Sequence, residues 1–582
     1  MNDYEKGFYM GVPNYIAINK KYIFVDFFDT VMFRYIHSDE VRPQWAKRMN
    51  KFYPSVNAEK WISVRNEIIG DNDECSINYE YLIKKLYERL SCNYFLDDEE
   101  SFKKKVFDAD KYIDMAVQYP NKCIVSWLQK QRSFGKKVFI VSDYYLPARA
   151  IKSFLKFHDL NELFDGVFSS SDFEKTKRNG ELYEYVIEEL KVDKNSIVMI
   201  GDNVSSDFLM AREHGIDSYR YFPVFHKCYT NIHKCVGKVN IDRYVFNKCY
   251  KYSQFAEYGM DLFVFCEQFK NALTQESNQS KTICFMSRGG YLLKRAFEEY
   301  MYWSSNTELL RYKTTYLRFS RKVSCRDNIE GDSRNLLIDY LTPYVDNNEL
   351  LFVDEGWYGH GQDSLEMICP WKIKGYYLGL IENTNGSDKR KGLIFGENPD
   401  KSKSPYYGVF RTNCTFYEQI LTAPHGSLIS VEKNTAGEYV FNEEWADQEK
   451  SLYENYTKGL QEKLIECMSF LLAWNSELNL YDFAKYKLKS LLFANKSKIQ
   501  ILNIYDKNFY NNFTASQERW FGKRSSIKVN IRELLTFPEN YMRYFCKIKE
   551  KRNSSVAWEI IYLVFTPLIY LYCRLSLAIK HF

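Results

Sequence analysis

Four short stretches of this chain carry residues whose types and spacing could do chemistry. Tyr22-Ile23-Phe24-Val25 runs into Asp26, and a hydroxyl residue, Thr30, follows four positions later. Val138-Phe139-Ile140-Val141 runs into Ser142, and Ile197-Val198-Met199-Ile200-Gly201 into Asp202, with Asp207 five residues beyond. Between them, Lys175-Thr176-Lys177-Arg178-Asn179-Gly180 leads into the helical pattern Glu181–Leu190. A carboxylate at a strand end can serve as a nucleophile or as an oxygen ligand of a hard cation. The elements that must position these groups are legible too. Short apolar runs bounded by polar residues read as strands buried on both faces of a parallel sheet. Open α/β sheets meet their ligands at the carboxyl ends of such strands.

Asp, then Ser, then Lys, then Gly-Asp-x-x-x-x-Asp resembles the motif order of the haloacid dehalogenase (HAD) superfamily, over residues 1–222. The resemblance implies that Asp26 attacks phosphorus and becomes an aspartyl-phosphate, that Ser142 binds a phosphoryl oxygen, and that Lys177, with Lys175 as the alternative, neutralises charge. It further implies Mg²⁺ held by Asp26, Asp202, the Phe28 carbonyl and Asp207, with Thr30 at the substrate. One departure stands out: the family's second acid, two residues after the nucleophile, is here Phe28, and an acid appears one step later, at Asp29. Either Asp29 takes the acid–base role or hydrolysis runs with less help, a difference worth ~10² to 10⁴ in rate.

Residues 38–120 read as helical, with apolar residues at helical spacing over Trp61–Ile69, Tyr79–Leu90 and Phe102–Phe107. The resemblance makes this insertion a cap over the site. Residues 223–274 are aromatic, basic and helix-leaning, and read as a connector. His226-Lys-Cys228 and His233-Lys-Cys235 lie within it. Zinc takes such ligands, but the spacing fits no common site, so incidental residues of a linker are the favoured reading.

A second α/β pattern follows, within a domain expected over 275–440. Thr282–Met286 is a strand followed by Ser287-Arg288-Gly289-Gly290 and the helix Tyr291–Tyr300; Thr314–Phe319 and Gly375–Ile381 are further strands. Leu350–Val353 ends in Asp354-Glu355, and a loop, Gly356–Gln362, enters the helix Asp363–Met367. Strand–Arg-Gly-Gly–helix, then strand–acid–acid–Gly loop–helix, resembles a type I phosphoribosyltransferase. The resemblance implies pyrophosphate at Arg288, Gly289 and Gly290, ribose hydroxyls at Asp354 and Glu355, and a 5′-phosphate at Gly359, His360 and Gly361. Glycines let backbone N–H groups approach phosphate, and a helix start favours negative charge. The Trp/Tyr/His character of that loop, in place of threonines, departs from the family.

Residues 441–582 read as mostly helical. Arg543, Lys547, Lys549, Lys551 and Arg552 precede the apolar run Ile560–Cys573, which is too short to span a bilayer and contains Pro567. Basic residues beside an apolar, aromatic segment suit a helix in the membrane interface, over about 543–582; packing on the chain itself or on a second copy is the alternative. The amino terminus has no secretory pattern. Fourteen cysteines are scattered singly, as in reduced cytoplasmic chains. A net charge of +5 gives no support to nucleic-acid binding.

The expectation is therefore an α/β protein: a HAD Rossmann-like parallel sheet with a helical cap, a second phosphoribosyltransferase-like α/β domain and a helical C-terminal region. Together the two resemblances are similar to bifunctional ribofuranosyltransferases of bacterial capsule or O-antigen synthesis. These would use phosphoribosyl pyrophosphate and a lipid-linked glycan at the inner face of the membrane. A phosphohydrolase with a docking domain, and a catalytically retired scaffold, are the competing readings. Oligomeric state is left open.

Overall fold

The computed structural model describes residues 12–223, 226–230, 255–275, 281–304, 307–320, 331–380, 389–395, 414–475 and 496–507, with isolated positions elsewhere. Two compact units result: Met1–Lys248 with Ala473–Asn475, and Cys249–Leu472 with Ser476–Phe582.

The first unit is built on a parallel sheet of β1 (Tyr22–Val25), β4 (Lys137–Ser142), β5 (Gly166–Ser169), β6 (Ile197–Gly201) and β7 (Asp217–Arg220), in the order β5-β4-β1-β6-β7. Ile23, Phe24 and Val25 are fully buried because β1 lies between β4 and β6, with helices covering the sheet. Phe24, Phe139, Val141, Met199, Leu182 and Val186 form one core cluster. Val25 pairs with both Ile140 and Ile200, so the residues after β1, β4 and β6 emerge along one edge. The chain adds strands to one side of β1 and then crosses to the other, which opens a crevice between β1 and β6.

A two-stranded antiparallel ribbon, β2 (Met32–Arg34) with β3 (Gln118–Pro120), brackets four helices: Val41–Phe52, Ala58–Ile69, Tyr79–Ser91 and Glu99–Val117. Asn57, Asn78 and Asp98 cap the last three, each side chain accepting from a backbone N–H three residues on. The Asp98 cap explains why the last helix begins well before the apolar stretch Phe102–Phe107. That helix also continues past the stretch, placing Asp110 and Asp114 in buried positions.

The second unit holds another parallel sheet: β8 (Lys281–Met286), β9 (Tyr312–Leu317), β10 (Glu349–Trp357), β11 (Lys372–Leu380) and β12 (Arg390–Phe395), in the order β12-β11-β10-β8-β9. Its crossover point lies between β8 and β10. An antiparallel hairpin, β13 (Ser427–Lys433) with β14 (Tyr439–Glu444), follows. The stretch read as a connector divides: 226–230 belongs to the first unit, and Ala256–Thr274 is a buried helix of the second. Glu257 and Asp261 on that helix are paired with Lys498 and Lys487, all four buried. Most of the 543–582 tail lies outside the described residues.

One expectation needs correction. Asp354 and Glu355 do not end their strand. The ladder with β11 continues through Asp354–Tyr377, Gly356–Gly379 and Trp357–Leu380, so β10 runs on through both acids. A Cβ at Gly356 would lie 2.0 Å from the Gly379 carbonyl oxygen, and only glycine lets the strands stay paired there. Successive strand residues alternate in facing, so Asp354 and Glu355 sit on opposite faces of β10. The helix after the loop begins at His360, within the segment read as loop.

Candidate active site

Asp26 follows β1, and its N–H still donates to the Ile200 carbonyl at 2.9 Å, so the nucleophile candidate is held by the sheet itself. The chain then turns sharply: Met32 N–H donates to Phe27 O at 2.7 Å and Asp29 N–H to Met32 O at 2.8 Å, with Asp29 at φ +55°. Aspartate is among the few residues that enter this left-handed region readily.

Lys177 is buried, and its Nζ lies 2.6 Å from Asp26 Oδ1 and 2.6 Å from Asp207 Oδ1. Its loop is anchored by Asp143, which accepts from the backbone N–H of Lys177 at 2.6 Å and of Arg178 at 3.2 Å. Gly180 (φ +80°) closes the loop against His214, whose Nε2 would be 1.8 Å from an added Cβ. Lys175 points elsewhere, its ammonium 4.9 Å from the centre of the Tyr185 ring. Asp207 also accepts from Asn203 N–H at 3.0 Å, and Gly201 leaves it room: a Cβ there would be 2.2 Å from Asp207 Oδ2. Ser142, the last residue of β4, is buried on the same edge. Thr30 is buried; its carbonyl accepts from Asn121 Nδ2 at 2.8 Å, and its hydroxyl has no partner among the described residues.

Phe28 lies where the family's second acid would be. The Arg34 guanidinium sits 3.4 Å from its ring centre, and the Tyr144 ring is 4.7 Å away. Asp29 turns outward to His226, with Nε2 3.3 Å from Oδ1. Burial opposes its charge. The hydrogen bond and charge of His226, with Arg34 and Lys227, nonetheless hold it below the ordinary carboxylate range. Asp29 is therefore a carboxylate at neutral pH, suited to accepting or orienting a proton.

Burial pushes Asp26 up, with Lys177 opposing. The same burial works against the Lys177 charge, but Asp207 and Asp26 outweigh it and hold the ammonium well above its usual value. Asp202 is raised by burial, against a hydrogen bond from Lys227. Carboxylate oxygens of Asp26, Asp202 and Asp207 lie within 4.8 Å of one another. An all-oxygen set of this size fits Mg²⁺, and each acid also contacts an ammonium: Asp26 and Asp207 that of Lys177, and Asp202 that of Lys227.

Asp143, Arg34 and Lys227 escaped the sequence reading, which took His226 only as an incidental linker residue or a zinc ligand. Asp143 had a signal, being the acid beside Ser142 at a strand end. Arg34 and Lys227 are recognisable only from what they touch.

In the second unit, the Arg288 loop and Glu355 meet at the crossover crevice, where a Cβ on Gly289 would lie 1.5 Å from Glu355 Oε2. Arg288 Nη2 is 2.5 Å from Glu449 Oε1. Its Nη1, and Glu355 Oε2, are buried without partners among the described residues. Gly290 opens the helix Gly290–Trp303. Gly359 (φ +74°) precedes His360 and Gly361 at the start of the helix His360–Ile368, with Arg390 Nη1 behind it. Asp354 is paired across the ladder with Tyr377.

Tyr316 Oη lies 2.7 Å from His425 Nε2, and His425 Nδ1 lies 2.8 Å from the Gly426 carbonyl. Burial, aided by Arg318 and Arg288 and opposed by that carbonyl, lowers His425 to about 4. From its unfolded value of about 6.5 down to about 4, the unfolded chain binds a proton that the folded chain refuses, so stability falls as pH falls through this window. The full loss is about 3 kcal/mol. Urea midpoints of the second unit should drop between about pH 6.5 and pH 4, and His425→Gln should flatten that slope.

Residues 75–220 match the family model described as haloacid dehalogenase-like hydrolase. The first unit thus carries a HAD-like hydrolase domain. Among curated proteins, no sequence matches the chain. Solved structures similar to it include a 2-haloacid dehalogenase from Pseudomonas syringae pv. Tomato DC3000 (16% identity, 35% of this chain and 86% of that one, TM-score 0.28). A HAD phosphatase from Thermococcus onnurineus is 20% identical over 34% of this chain and 84% of that one, with TM-score 0.25. A predicted phosphoglycolate phosphatase from Haemophilus somnus 129PT is 13% identical over 38% and 99%, with TM-score 0.23.

Proposed function

We propose that the first unit hydrolyses a phosphomonoester through Asp26. The observation that carries this reading is the buried Lys177 bridging Asp26 and Asp207 beside Asp202, at the crossover crevice of the sheet. An Asp26 oxygen bonds to phosphorus while the bond to the leaving oxygen breaks and that oxygen takes a proton. Water then attacks phosphorus, releasing inorganic phosphate and restoring the carboxylate. Lys177 offsets charge on the phosphoryl oxygens, and Ser142 donates a hydrogen bond to one of them. Mg²⁺ held by Asp26, Asp202 and the Phe28 carbonyl would add further charge neutralisation there.

We infer that the second unit supplies the substrate, by moving 5-phosphoribose from phosphoribosyl pyrophosphate to a hydroxyl of a lipid-linked glycan. The ribose C1–pyrophosphate bond breaks, a C1–oxygen bond forms, and the acceptor loses its proton. Arg288 Nη1 and Glu355 Oε2, buried without partners among the described residues, support a ligand carrying both an anion and hydroxyls at this crevice. The helix start at Gly359-His360-Gly361 suits a terminal phosphate. The first unit then removes the 5-phosphate, which makes the sequence irreversible. No described helix is long and apolar enough to cross a membrane. Val564, Leu568, Leu571 and Leu575 are helical and exposed, at a spacing that forms one face, which supports peripheral contact with the bilayer holding the acceptor.

Incubation of the full chain with phosphoribosyl pyrophosphate and a panel of glycan acceptors tests the relay by product mass. A pentose increment is expected, turning to a phosphopentose increment in Asp26→Asn. Phosphate release from simple phosphomonoesters with no increment would leave the hydrolase standing and remove the transferase.

A further inference from the structure

The chain beyond the last strand of the first sheet comes back to the aspartates. Residues 226–230 are helical, and the first two side chains enter the site. His226 is the anchor. Its ring stacks on Phe33 at 4.0 Å with 14° between planes, Nδ1 lies 3.2 Å from Tyr119 Oη, and Nε2 lies 3.3 Å from Asp29 Oδ1. This fixes the next residue, and Lys227 Nζ reaches 2.6 Å from Asp202 Oδ2. The cluster noticed in the sequence as metal-ligand-like thus delivers a lysine; Cys228 is exposed, and His233 and Cys235 lie outside the described residues.

We propose that Lys227 is a cation-site residue of the HAD-like domain: its ammonium holds Asp202 in the cation-free protein, gives way when a divalent ion enters, and so sets the affinity for that ion. This rests on Asp26, Asp202 and Asp207 being the cation-holding group.

Three carboxylates face two ammonium groups here, and the two are not equivalent. Lys177 is buried and bridges two acids, so withdrawing it would strand both charges. Lys227 is about one-third exposed and touches one acid, so its flexible stem can return the ammonium to water at less cost than Lys177 could. Asp202 is the opposite case, with a side chain only 11% exposed, so the ion that finally holds it matters. An ordinary surface ion pair would contribute little. A cation competing for an oxygen already in contact with an ammonium must overcome a like charge a few ångströms away. At that distance the repulsion changes binding by ~tenfold or more even in a water-like dielectric.

The test measures binding, with no substrate present. Mn²⁺ is titrated into the full-length protein and the free ion is followed by electron paramagnetic resonance, for wild type, Lys227→Met, Lys227→Arg and Asp202→Asn. Lys227→Met should lower the Mn²⁺ Kd about tenfold or more, and Lys227→Arg, which keeps the charge, should stay within about twofold of wild type. Unchanged or weaker binding in Lys227→Met overturns the proposal, as does equal tightening in Lys227→Arg. Asp202→Asn separates the two ideas: it should lose binding, and if it does not, the cation group itself is wrong. Matching circular dichroism and melting of the Met and Arg variants confirms that folded proteins are compared.

Discussion

Asp26→Asn should lower phosphate release by ~10⁴ or more, to the level of the buffer blank. An amide oxygen cannot form the aspartyl-phosphate, and among the described residues the two neighbouring carboxylates are already committed. Asp207 is engaged by Lys177 and Asn203, and Asp202 follows the neighbouring strand. The same change leaves Lys177 with Asp207 as its remaining carboxylate contact, so the variant should fold, with altered stability. The check is twofold. Released phosphate is measured across a panel of phosphomonoesters, and the peptide containing Asp26 is weighed after rapid quenching. A phosphoryl increment in wild type and none in the variant supports the covalent route. Release that survives the substitution means that another group, or water directly, attacks phosphorus.

The second large effect concerns stability. Asp114→Ala should destabilise the first unit by about 3–5 kcal/mol. Arg34 Nε and Nη2 each lie 2.7 Å from Asp114, a bidentate pair in a buried setting, and Gln118 Nε2 donates to the same carboxylate at 3.1 Å. Tyr144 donates to it as well. The pair ties the helix Glu99–Val117 to β2 and, through Arg34, to the Phe28 ring beside the nucleophile. Removing one partner leaves a buried guanidinium uncompensated, which costs far more than the pair contributes. The joint replacement Asp114→Leu with Arg34→Met should therefore recover much of the loss. Burial opposes the Asp114 charge, but Arg34 wins and holds the carboxyl below its ordinary range. A carboxyl depressed on folding stabilises above its unfolded value, near 3.9, and that contribution is lost as pH falls through the folded one. Urea midpoints at neutral pH should show the full deficit, shrinking toward the wild type only in strong acid. A deficit within the surface-pair range, ~1 kcal/mol, would mean that solvent reaches the pair.

The order Asp26, Ser142, Lys177, Asp202 could be read from the chain because each element is local. Four or five apolar residues make a buried strand wherever they occur, and the acid or hydroxyl that ends the run needs only its neighbours to be noticed. The helix Tyr79–Ser91 belongs to the same class, since apolar residues at helical spacing mark it within a few turns. The length of β10 does not. Asp354 to Trp357 look like a strand end and a Gly loop until β11 pairs with them, and that ladder overrides their preference.

The amino-acid order alone therefore determined that two parallel α/β units exist and that Asp26 and Asp202 directly follow buried strands of the first. Tertiary structure decided what each charge sits against: Asp29 with His226, Asp202 with Lys227, Asp114 with Arg34. Those partners lie 80 residues apart in one case and far further in the first, and no local pattern foretells them. Burial converts each into a specific obligation, because a charge removed from water is stable only where the fold brings an opposite one to it.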